Sequence, residues 1–262
     1  MDPAKHLIVG IDQRGCGRSR PLITDALDGL AGNTTAALIA DIEAVRTRLG
    51  IECCLVLGVS WGSTLALAYA QERPDRVTEL VLVGVTTTSR DEVDWITEGV
   101  GRSSPEAWQR FADASGRRAS ERVVEAYARR LADTADPDDR IRAAADWDDW
   151  ESVHVSLDPG WTRRGHIDPI SRAVFATLTT HYWAHDGFLT GPDQILRRID
   201  RISHIPAVLI HGRHDISGPV ITPWRLHERW LAGSLIVVEH QGHGGPRCMD
   251  RMCTAIDEFA IR

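Results

Sequence analysis

Short apolar runs bounded by turn residues recur near the two ends of the chain. Three lie in the first third, at 6–12, 53–58 and 79–84, and two more lie at 206–212 and 234–240. Each run is continuous rather than alternating, which is typical of strands that are buried on both faces of a sheet. The pattern therefore predicts five buried strands.

Segments with helical periodicity separate these runs. The segment 34–50 has helical spacing and ends at a glycine, the segment 60–77 contains a helix that ends before Pro74, and 250–262 is predicted to be a closing helix. Parallel neighbours need a crossover connection, which is usually a helix. The alternation of strand and helix therefore predicts a parallel sheet and an α/β fold.

The middle of the chain has a different character. Residues 89–200 are rich in charge, alanine and tryptophan, and they show helical periods without a convincing buried strand. We therefore predict an α/β core in two parts, 1–88 and 201–262, that is interrupted by a helical cap at 89–200. A chain of 262 residues is long enough for one core with an inserted subdomain.

Composition argues against several classes of function. The net charge is −7 without a basic block, so the chain has no electrostatic footprint for nucleic acid. No apolar run approaches the length of a membrane span, and the first apolar stretch is too short for a signal peptide, so we predict a cytoplasmic location. The five cysteines lack paired metal-ligand spacing and are predicted to be reduced thiols.

A five-residue motif after a predicted strand points to nucleophilic catalysis. Gly58-Val59-Ser60-Trp61-Gly62 fits G-x-S-x-G and directly precedes a predicted helix. This is the nucleophile elbow of the α/β-hydrolase fold, in which flanking glycines let backbone pass where a Cβ would collide. We predict that Ser60 is the nucleophile and that the Trp61 backbone N–H is an oxyanion-hole donor. The alternative is a serine that caps an ordinary strand-to-helix turn.

Two later loops supply candidates for the base and the acid. In this fold the chain order is Ser, then Asp or Glu, then His. Asp215 follows the strand at 206–212 and His243 follows the strand at 234–240, so both lie past carboxyl ends of strands, where ligands bind in α/β folds. We predict that His243 is the base and that Asp215 orients it, whereas His240 is structural. The alternative for Asp215 is a turn aspartate that caps the next element.

Motifs along nearly the whole chain resemble those of one peptidase family. They are DQRGCGRS (12–19), NTT (33–35), GVSWGSTLALAYAQERPDRV (58–77), WE (150–151), HYW (181–183), GRHD (212–215) and QGH (241–243). Together they resemble the prolyl aminopeptidases, also called proline iminopeptidases, whose usual nucleophile segment differs here only at Val59. The resemblance implies a helical cap over an α/β-hydrolase core, release of N-terminal proline from short peptides, and no metal or organic cofactor.

Recognition of the substrate amine is predicted to involve the AAADWDDWE segment. Trp147, Trp150 and Glu151 have the spacing i, i+3, i+4, which places them on one face of a helix. Two indoles beside a carboxylate suit a proline ring and its ammonium, and Glu151 matches the family's amine-binding cap glutamate. Thr179 stands where the family generally has a second such glutamate. The alternative is a surface glutamate beside core tryptophans.

The family's H-G-G-P-G segment, which supplies the other oxyanion-hole donor, does not precede DQRG here. The letters HGGP at 243–246 follow the last predicted strand, and we interpret that match as accidental. On the resemblance, we expect the sequence to begin at the fourth of eight strands, as an incomplete gene model would. The strand at 6–12 would otherwise have to pair directly with the strand at 53–58.

Three functional interpretations stay open at this point. The first is an aminopeptidase specific for N-terminal proline. The second is an esterase or amidase of the same fold that acts on small uncharged substrates, which the uncharged Thr179 favours. The third is a non-catalytic remnant that lacks half of its oxyanion hole.

Overall fold

The computed structural model describes residues 6–133, 136–155, 168–191 and 194–260. The chain divides into two compact units. Unit 1 consists of Met1–Ile11, Ile39–Ser89 and Leu189–Arg262, and unit 2 consists of Asp12–Leu38 and Arg90–Phe188.

Unit 1 contains a parallel sheet of four strands within the described residues. In sheet order the strands are β1 (Cys54–Val59), β2 (Val77–Val83), β3 (Ala207–Gly212) and β4 (Gly233–Val238). Each neighbouring pair is parallel, so the carboxyl ends of all four strands lie at one edge of the sheet. The predicted α/β fold with a parallel sheet is confirmed.

The two central strands, β2 and β3, form the most deeply buried part of this sheet. The side chains of Leu80 to Val83 on β2, and those of Leu209 and Ile210 on β3, have no exposed surface. Their registers place Val83 opposite Ile210. Burial on both faces explains why these strands appear in the sequence as continuous apolar runs.

Nine α-helices occur in the part of the chain that the structure describes. They are α1 (Thr35–Arg48), α2 (Trp61–Glu72), α3 (Arg90–Thr97), α4 (Pro105–Ala114), α5 (Val123–Ala132), α6 (Pro137–His154), α7 (Pro169–Ala184), α8 (Ile221–His227) and α9 (Pro246–Ala260). The closing helix α9 begins four residues before the predicted start and packs Cys248, Met252 and Ile256 in the core beside Val81 and Ile210. Among these helices, none has the length and apolarity that crossing a membrane requires.

Unit 2 is helical in its described residues and has an aromatic core. Phe111 on α4 stacks on Tyr127 of α5 with ring centroids 4.7 Å apart and on Trp150 of α6 at 5.1 Å. Trp147 packs edge-on against Phe111 and against Trp183 of α7, at 5.6 Å in each case. These rings explain why tryptophans are concentrated in this part of the sequence.

The segment before α1 is anchored within unit 2. The Tyr182 hydroxyl donates a hydrogen bond to Asn33 Oδ1 at 2.6 Å, and His181 Nε2 lies 2.9 Å from the Asn33 carbonyl oxygen. Burial, which outweighs that hydrogen bond, lowers the pKa of His181. Asn33 therefore connects the loop before α1 to α7.

One predicted strand is wrong. Residues 6–13 have no regular secondary structure, and Leu7, Ile8, Val9 and Ile11 are 41–82% exposed. A strand is stabilised by hydrogen bonds to a neighbouring strand, and among the described residues β1 pairs with β2 alone. The apolar run at 6–12 has no sheet neighbour, so its composition does not make it a strand.

The two compact units do not coincide with the core and cap that were predicted from composition. Residues 12–38 lie in unit 2 although they precede the predicted cap at 89–200, and residues 189–200 lie in unit 1. The assignment of 1–88 and 201–262 to a functional core therefore stays a prediction. The predicted cap also includes 156–167, which lies outside the described residues.

Candidate active site

Ser60 lies in the turn between β1 and α2. Its φ of 55° and ψ of −124° are strained for a residue that carries a Cβ, and its backbone N–H donates to the Val83 carbonyl at 2.8 Å. The Ser60 side chain makes no capping hydrogen bond to α2. The interpretation of Ser60 as an ordinary capping serine is therefore wrong, and the strained turn matches a nucleophile elbow.

The two glycines of the elbow differ in whether a Cβ would collide with neighbouring atoms. A Cβ on Gly58 would lie 2.3 Å from the Gly62 carbonyl oxygen, whereas a Cβ on Gly62 would meet no heavy atom within 4 Å outside its own helix. The expectation that both glycines relieve a collision holds for Gly58 and is wrong for Gly62. Gly58, near the end of β1, passes against the first turn of α2, whereas Gly62 belongs to that turn itself.

Three predicted side chains meet at the carboxyl edge of the sheet in unit 1. Ser60 Oγ follows β1 and lies 2.8 Å from His243 Nε2, which follows β4. His243 Nδ1 lies 2.7 Å from Oδ2 of Asp215, which follows β3. A carboxylate accepts, so Nδ1 carries the hydrogen and Nε2 accepts the Ser60 hydroxyl proton. This is the hydrogen-bond order that a serine, histidine and aspartate triad requires.

Asp215 is an anion in a buried position. Its side chain has no exposed surface, whereas that of His243 is 25% exposed. Burial raises the pKa of Asp215, but the charge and hydrogen bond of His243, with a smaller effect of the Gly218 N–H, bring that pKa below its usual value. Asp215 also accepts the Gly218 N–H at Oδ1, at 2.9 Å, so its turn contact and its contact with His243 use different oxygens.

A histidine that was not predicted from the sequence lies beside this group. His211 is the fifth residue of β3, and its Nε2 lies 3.5 Å from Asp215 Oδ2. Its side chain has no exposed surface. The signal in the sequence was an imidazole inside the otherwise apolar run AVLIHG, directly before the loop that carries Asp215.

A polar network joins the elbow to the loop after β2. Ser63 Oγ donates to the Ser60 carbonyl at 2.6 Å and accepts the Thr86 N–H at 2.9 Å. Thr64 Oγ1 lies 2.9 Å from the Thr86 carbonyl and 2.8 Å from Thr88 Oγ1. Ser63 and Thr64 are fully buried, so these hydrogen bonds hold the strained turn against a neighbouring backbone segment.

The predicted oxyanion-hole donor lies at the start of a helix. Trp61 is the first residue of α2, and the first N–H groups of a helix point out of its N-terminal end, where the helix dipole favours negative charge. The geometry of the elbow thus suits Trp61 for this role, which stays a prediction. Within the described residues no group of three histidine, cysteine, aspartate or glutamate side chains could hold a metal ion.

The predicted amine-binding residues lie in unit 2. Trp147 and Trp150 are 0% and 2% exposed, and the Trp150 N–H donates to the Ile96 carbonyl at 3.1 Å. This packing favours the alternative in which both indoles are core residues. Glu151 is half-buried and accepts the Trp147 N–H at 2.9 Å, and Thr179 is half-buried on α7. Contact of these four residues with a substrate stays a prediction.

Comparison with known proteins matches this architecture. Residues 2–245 match the family described as alpha/beta hydrolase fold. An esterase from Exiguobacterium antarcticum superposes with a TM-score of 0.54 at 17% identity, over 97% of this chain and 81% of its own. A meta-cleavage product hydrolase from Pseudomonas fluorescens IP01 gives a TM-score of 0.52 at 21% identity, over 95% and 77%. At these identities the likeness concerns the fold alone.

Relatives that are more similar in sequence identify the family within this fold. The chain is 42% identical to a probable proline iminopeptidase of Streptomyces coelicolor, over 99% of this chain and 81% of the relative. It is 40% identical to a proline iminopeptidase of Xylella fastidiosa, over 98% and 82%. With Ser60, His243 and Asp215 joined at the carboxyl edge of a parallel sheet, the chain belongs to the proline iminopeptidase family of α/β hydrolases.

Proposed function

We propose that this chain is a serine peptidase that releases N-terminal proline from short peptides. The observation that carries the proposal is the continuous hydrogen-bond path from Ser60 Oγ through His243 to the buried carboxylate of Asp215. The substrate class is that named for the relatives at about 40% identity. A cytoplasmic location, inferred from the sequence, belongs to the same proposal.

In the proposed mechanism each group has a step in acylation. Ser60 Oγ attacks the carbonyl carbon of the N-terminal proline while His243 Nε2 takes the hydroxyl proton. The imidazolium that forms is stabilised by Asp215, whose lowered pKa keeps it ionised. The oxyanion of the tetrahedral intermediate accepts the Trp61 N–H at the start of α2.

The same groups complete the reaction in reverse order. His243 returns its proton to the leaving amine of the shortened peptide, and an acyl-enzyme between proline and Ser60 remains. Water then attacks the ester carbonyl while His243 again accepts a proton. Free proline leaves when Ser60 recovers its proton.

For recognition of the amine, we propose Glu151. Its Oε1 is fixed by the Trp147 indole N–H, which orients the carboxylate without neutralising it. A carboxylate held by a neutral donor can still compensate an ammonium ion. Thr179 offers a hydroxyl and no charge, so the amine is less fully compensated than it would be between two glutamates.

Thr179 also favours a second candidate function. An esterase or amidase for small uncharged substrates would use the same Ser60, His243 and Asp215 and would need no carboxylate for an amine. The two activities differ in their dependence on a free N-terminus. Turnover of a proline arylamide compared with turnover of an acetyl ester distinguishes them.

Ser60→Ala tests the proposal directly. We expect the rate of proline arylamide hydrolysis to fall by several orders of magnitude, with an unchanged circular dichroism spectrum, because the elbow depends on backbone geometry and not on the hydroxyl. Wild-type Ser60 should react with a fluorophosphonate, identified by peptide mapping. More than a tenth of wild-type activity in Ser60→Ala would contradict the assignment, and absence of labelling would favour a non-catalytic remnant.

A further inference from the structure

The imidazole of His211 is hydrogen-bonded at both ring nitrogens inside unit 1. Its Nδ1 lies 3.0 Å from the Val85 backbone nitrogen, and its Nε2 lies 2.5 Å from the Gly218 carbonyl oxygen. The ring is wholly buried. It therefore connects β3, the loop after β2 and the loop that carries Asp215.

These two partners select a single form of the ring. A backbone N–H can only donate, so Nδ1 of His211 must be an unprotonated acceptor toward Val85. A carbonyl oxygen can only accept, so Nε2 must carry the hydrogen that Gly218 receives. A doubly protonated ring would direct an N–H at the Val85 N–H. His211 is therefore neutral, with its hydrogen on Nε2.

Nε2 of His211 also lies near the carboxylate of the triad. Nε2 lies 3.5 Å from Asp215 Oδ2, which is the oxygen that His243 Nδ1 contacts at 2.7 Å. Gly218 completes a ring of contacts, because its carbonyl accepts from His211 and its N–H donates to Asp215 Oδ1. Gly218 thus holds Oδ1 and His243 holds Oδ2, whereas His211 supports the Gly218 turn and, being neutral, brings no second cation to the site.

We propose that His211 is a positioning residue that holds Asp215 in the orientation that the His243 imidazole needs. The inference rests on the proposed function, since it concerns the same triad. His211 touches no reacting atom and acts through Asp215 and the Gly218 turn. Displacement of a catalytic group by about 1 Å can cost about 100-fold in rate, so loss of this support should appear in kcat.

The titratable groups that face Asp215 are few among the described residues. His243 and His211 contact its Oδ2, and Cys248 of α9 is close enough to sense its charge. Burial and, to a smaller extent, the Asp215 carboxylate raise the pKa of the Cys248 thiol to about 11. Cys248 is therefore neutral over the working range, and His211 is held neutral by its hydrogen bonds, so changes in the acidic limb report on His243.

Replacement of His211 by leucine and by glutamine tests the proposal. Leucine removes both hydrogen bonds, whereas the glutamine amide can still donate toward Gly218. For His211→Leu we expect kcat for a proline arylamide to fall by about 10- to 100-fold with KM changed less than about twofold. The acidic limb of kcat/KM should move to lower pH, because a misaligned carboxylate stabilises the His243 imidazolium less. His211→Gln should lose less kcat than His211→Leu, and its acidic limb should be shifted less.

Counting active molecules distinguishes a loss of folded enzyme from a loss of rate at each active site. Titration with a fluorophosphonate gives the concentration of competent Ser60, and kcat is expressed per titrated site. If folded His211→Leu shows wild-type kcat per site and an unshifted limb, the proposal is overturned. If His211→Leu does not fold, His211→Gln decides by the same two measurements. His227→Gln on α8, in the same unit, should change neither quantity.

Failure of the proposed function would look different. If the wild type is labelled at Ser60 but does not hydrolyse proline arylamides, the substrate assignment fails, and the labelling rate of the His211 variants still tests positioning. A labelling rate equal to that of the wild type would overturn the inference. If Ser60 of the wild type does not react at all, the triad itself fails and the inference fails with it.

Discussion

At the scale of single residues, two histidines occupy the loop after β4 in very different surroundings. His243 lies between Ser60 and Asp215. His240 is exposed, has a φ of 62° and lies with its ring 5.7 Å from that of His214. Only His243 has both a hydroxyl to deprotonate and a carboxylate to stabilise its cation.

This difference predicts the pH dependence. Activity should fall as the pH drops through the imidazole pKa, roughly 6–7, because a protonated base cannot accept the Ser60 proton. His243→Ala should abolish activity together with this limb, and His240→Ala should change neither. The measurement is kcat/KM for a proline arylamide between about pH 5 and 9. An essential His240 with a dispensable His243 would reverse the assignment.

A second prediction at this scale concerns selectivity for a free amine, which we expect to depend on Glu151 and to be limited by the uncharged Thr179. The test quantity is the ratio of kcat/KM for a proline arylamide to that for its N-acetyl form. Glu151→Gln should lower this ratio by about tenfold or more through KM, because a buried ammonium loses its counter-charge. Thr179→Glu should raise the ratio. Hydrolysis of a neutral acetyl ester should change much less in both variants.

An unchanged ratio in Glu151→Gln would mean that this glutamate does not bind the substrate amine. It accepts the Trp147 N–H at 2.9 Å, so it would then be a support for the aromatic core of unit 2. The substrate assignment would rest on the relatives alone. A matched control is Asp149→Asn, which alters a carboxylate on the same helix two residues away and should leave the ratio unchanged.

At the scale of elements, the turn between β1 and α2 concentrates strain in a few backbone atoms. Ser60 has a positive φ, and the Gly58 Cα passes so close to Gly62 that a Cβ would overlap its carbonyl oxygen. The hydrogen bonds of Ser63 to the Ser60 carbonyl and to Thr86 oppose relaxation of the turn. The elbow is therefore a property of two packed elements and not of the serine alone.

The contrast between the two glycines is directly testable. Gly58→Ala should lower the free energy of unfolding by about 1–3 kcal/mol, the usual cost of overpacking, and should reduce activity because the turn must shift. Gly62→Ala has open space and places alanine in a helix, so its stability should be unchanged or raised by up to about 1 kcal/mol. Urea denaturation of both variants measures the difference. Equal destabilisation by both substitutions would contradict the geometry of the elbow.

At the scale of the whole molecule, several carboxylates titrate below their usual range. Hydrogen bonding by Arg46 is the largest influence that holds the pKa of Glu43 at about 2, and the hydrogen bond from Arg129 does the same for Glu121. The pKa of Asp215 is lowered despite its burial. Glu43 lies in unit 1 and Glu121 in unit 2, so both units are affected.

The sign of the stability change follows from these shifts. A carboxylate whose pKa is lowered by folding binds fewer protons in the folded state, so stability is full above its unfolded pKa and is lost as the pH falls toward its folded pKa. For Glu43 the window runs from about 4.5 down to about 2. We therefore expect the thermal midpoint to fall steeply below about pH 4.5.

Glu43→Gln provides the check. This variant should be less stable than the wild type at pH 7, and the difference should shrink as the pH falls through the same window, because the wild-type carboxylate is then being protonated. Glu52→Gln, at an exposed position, should be indistinguishable from the wild type throughout. A constant difference between Glu43→Gln and the wild type from pH 7 to 3 would mean that the pair with Arg46 does not stabilise the folded state.

The sequence by itself determined the parallel sheet and the order of the site. Buried central strands require continuous apolar runs, and β2 and β3 lie where those runs are. Since parallel strands end at one edge, the residues that follow them must converge there. Ser60, Asp215 and His243 could therefore be selected from local context alone, because their positions depend on chain order and not on packing detail.

Only the tertiary structure decided what depends on a neighbour distant in the chain. The apolar run at 6–12 has strand composition, but a strand exists only where another strand pairs with it, and here none does among the described residues. Trp147 and Trp150 share a helical face, but periodicity cannot tell a face that lines a pocket from one that packs a core, and both rings are buried. His211 gives no sign of its partners in the sequence, because its contacts come from Val85 and Gly218, on loops that the fold alone brings together.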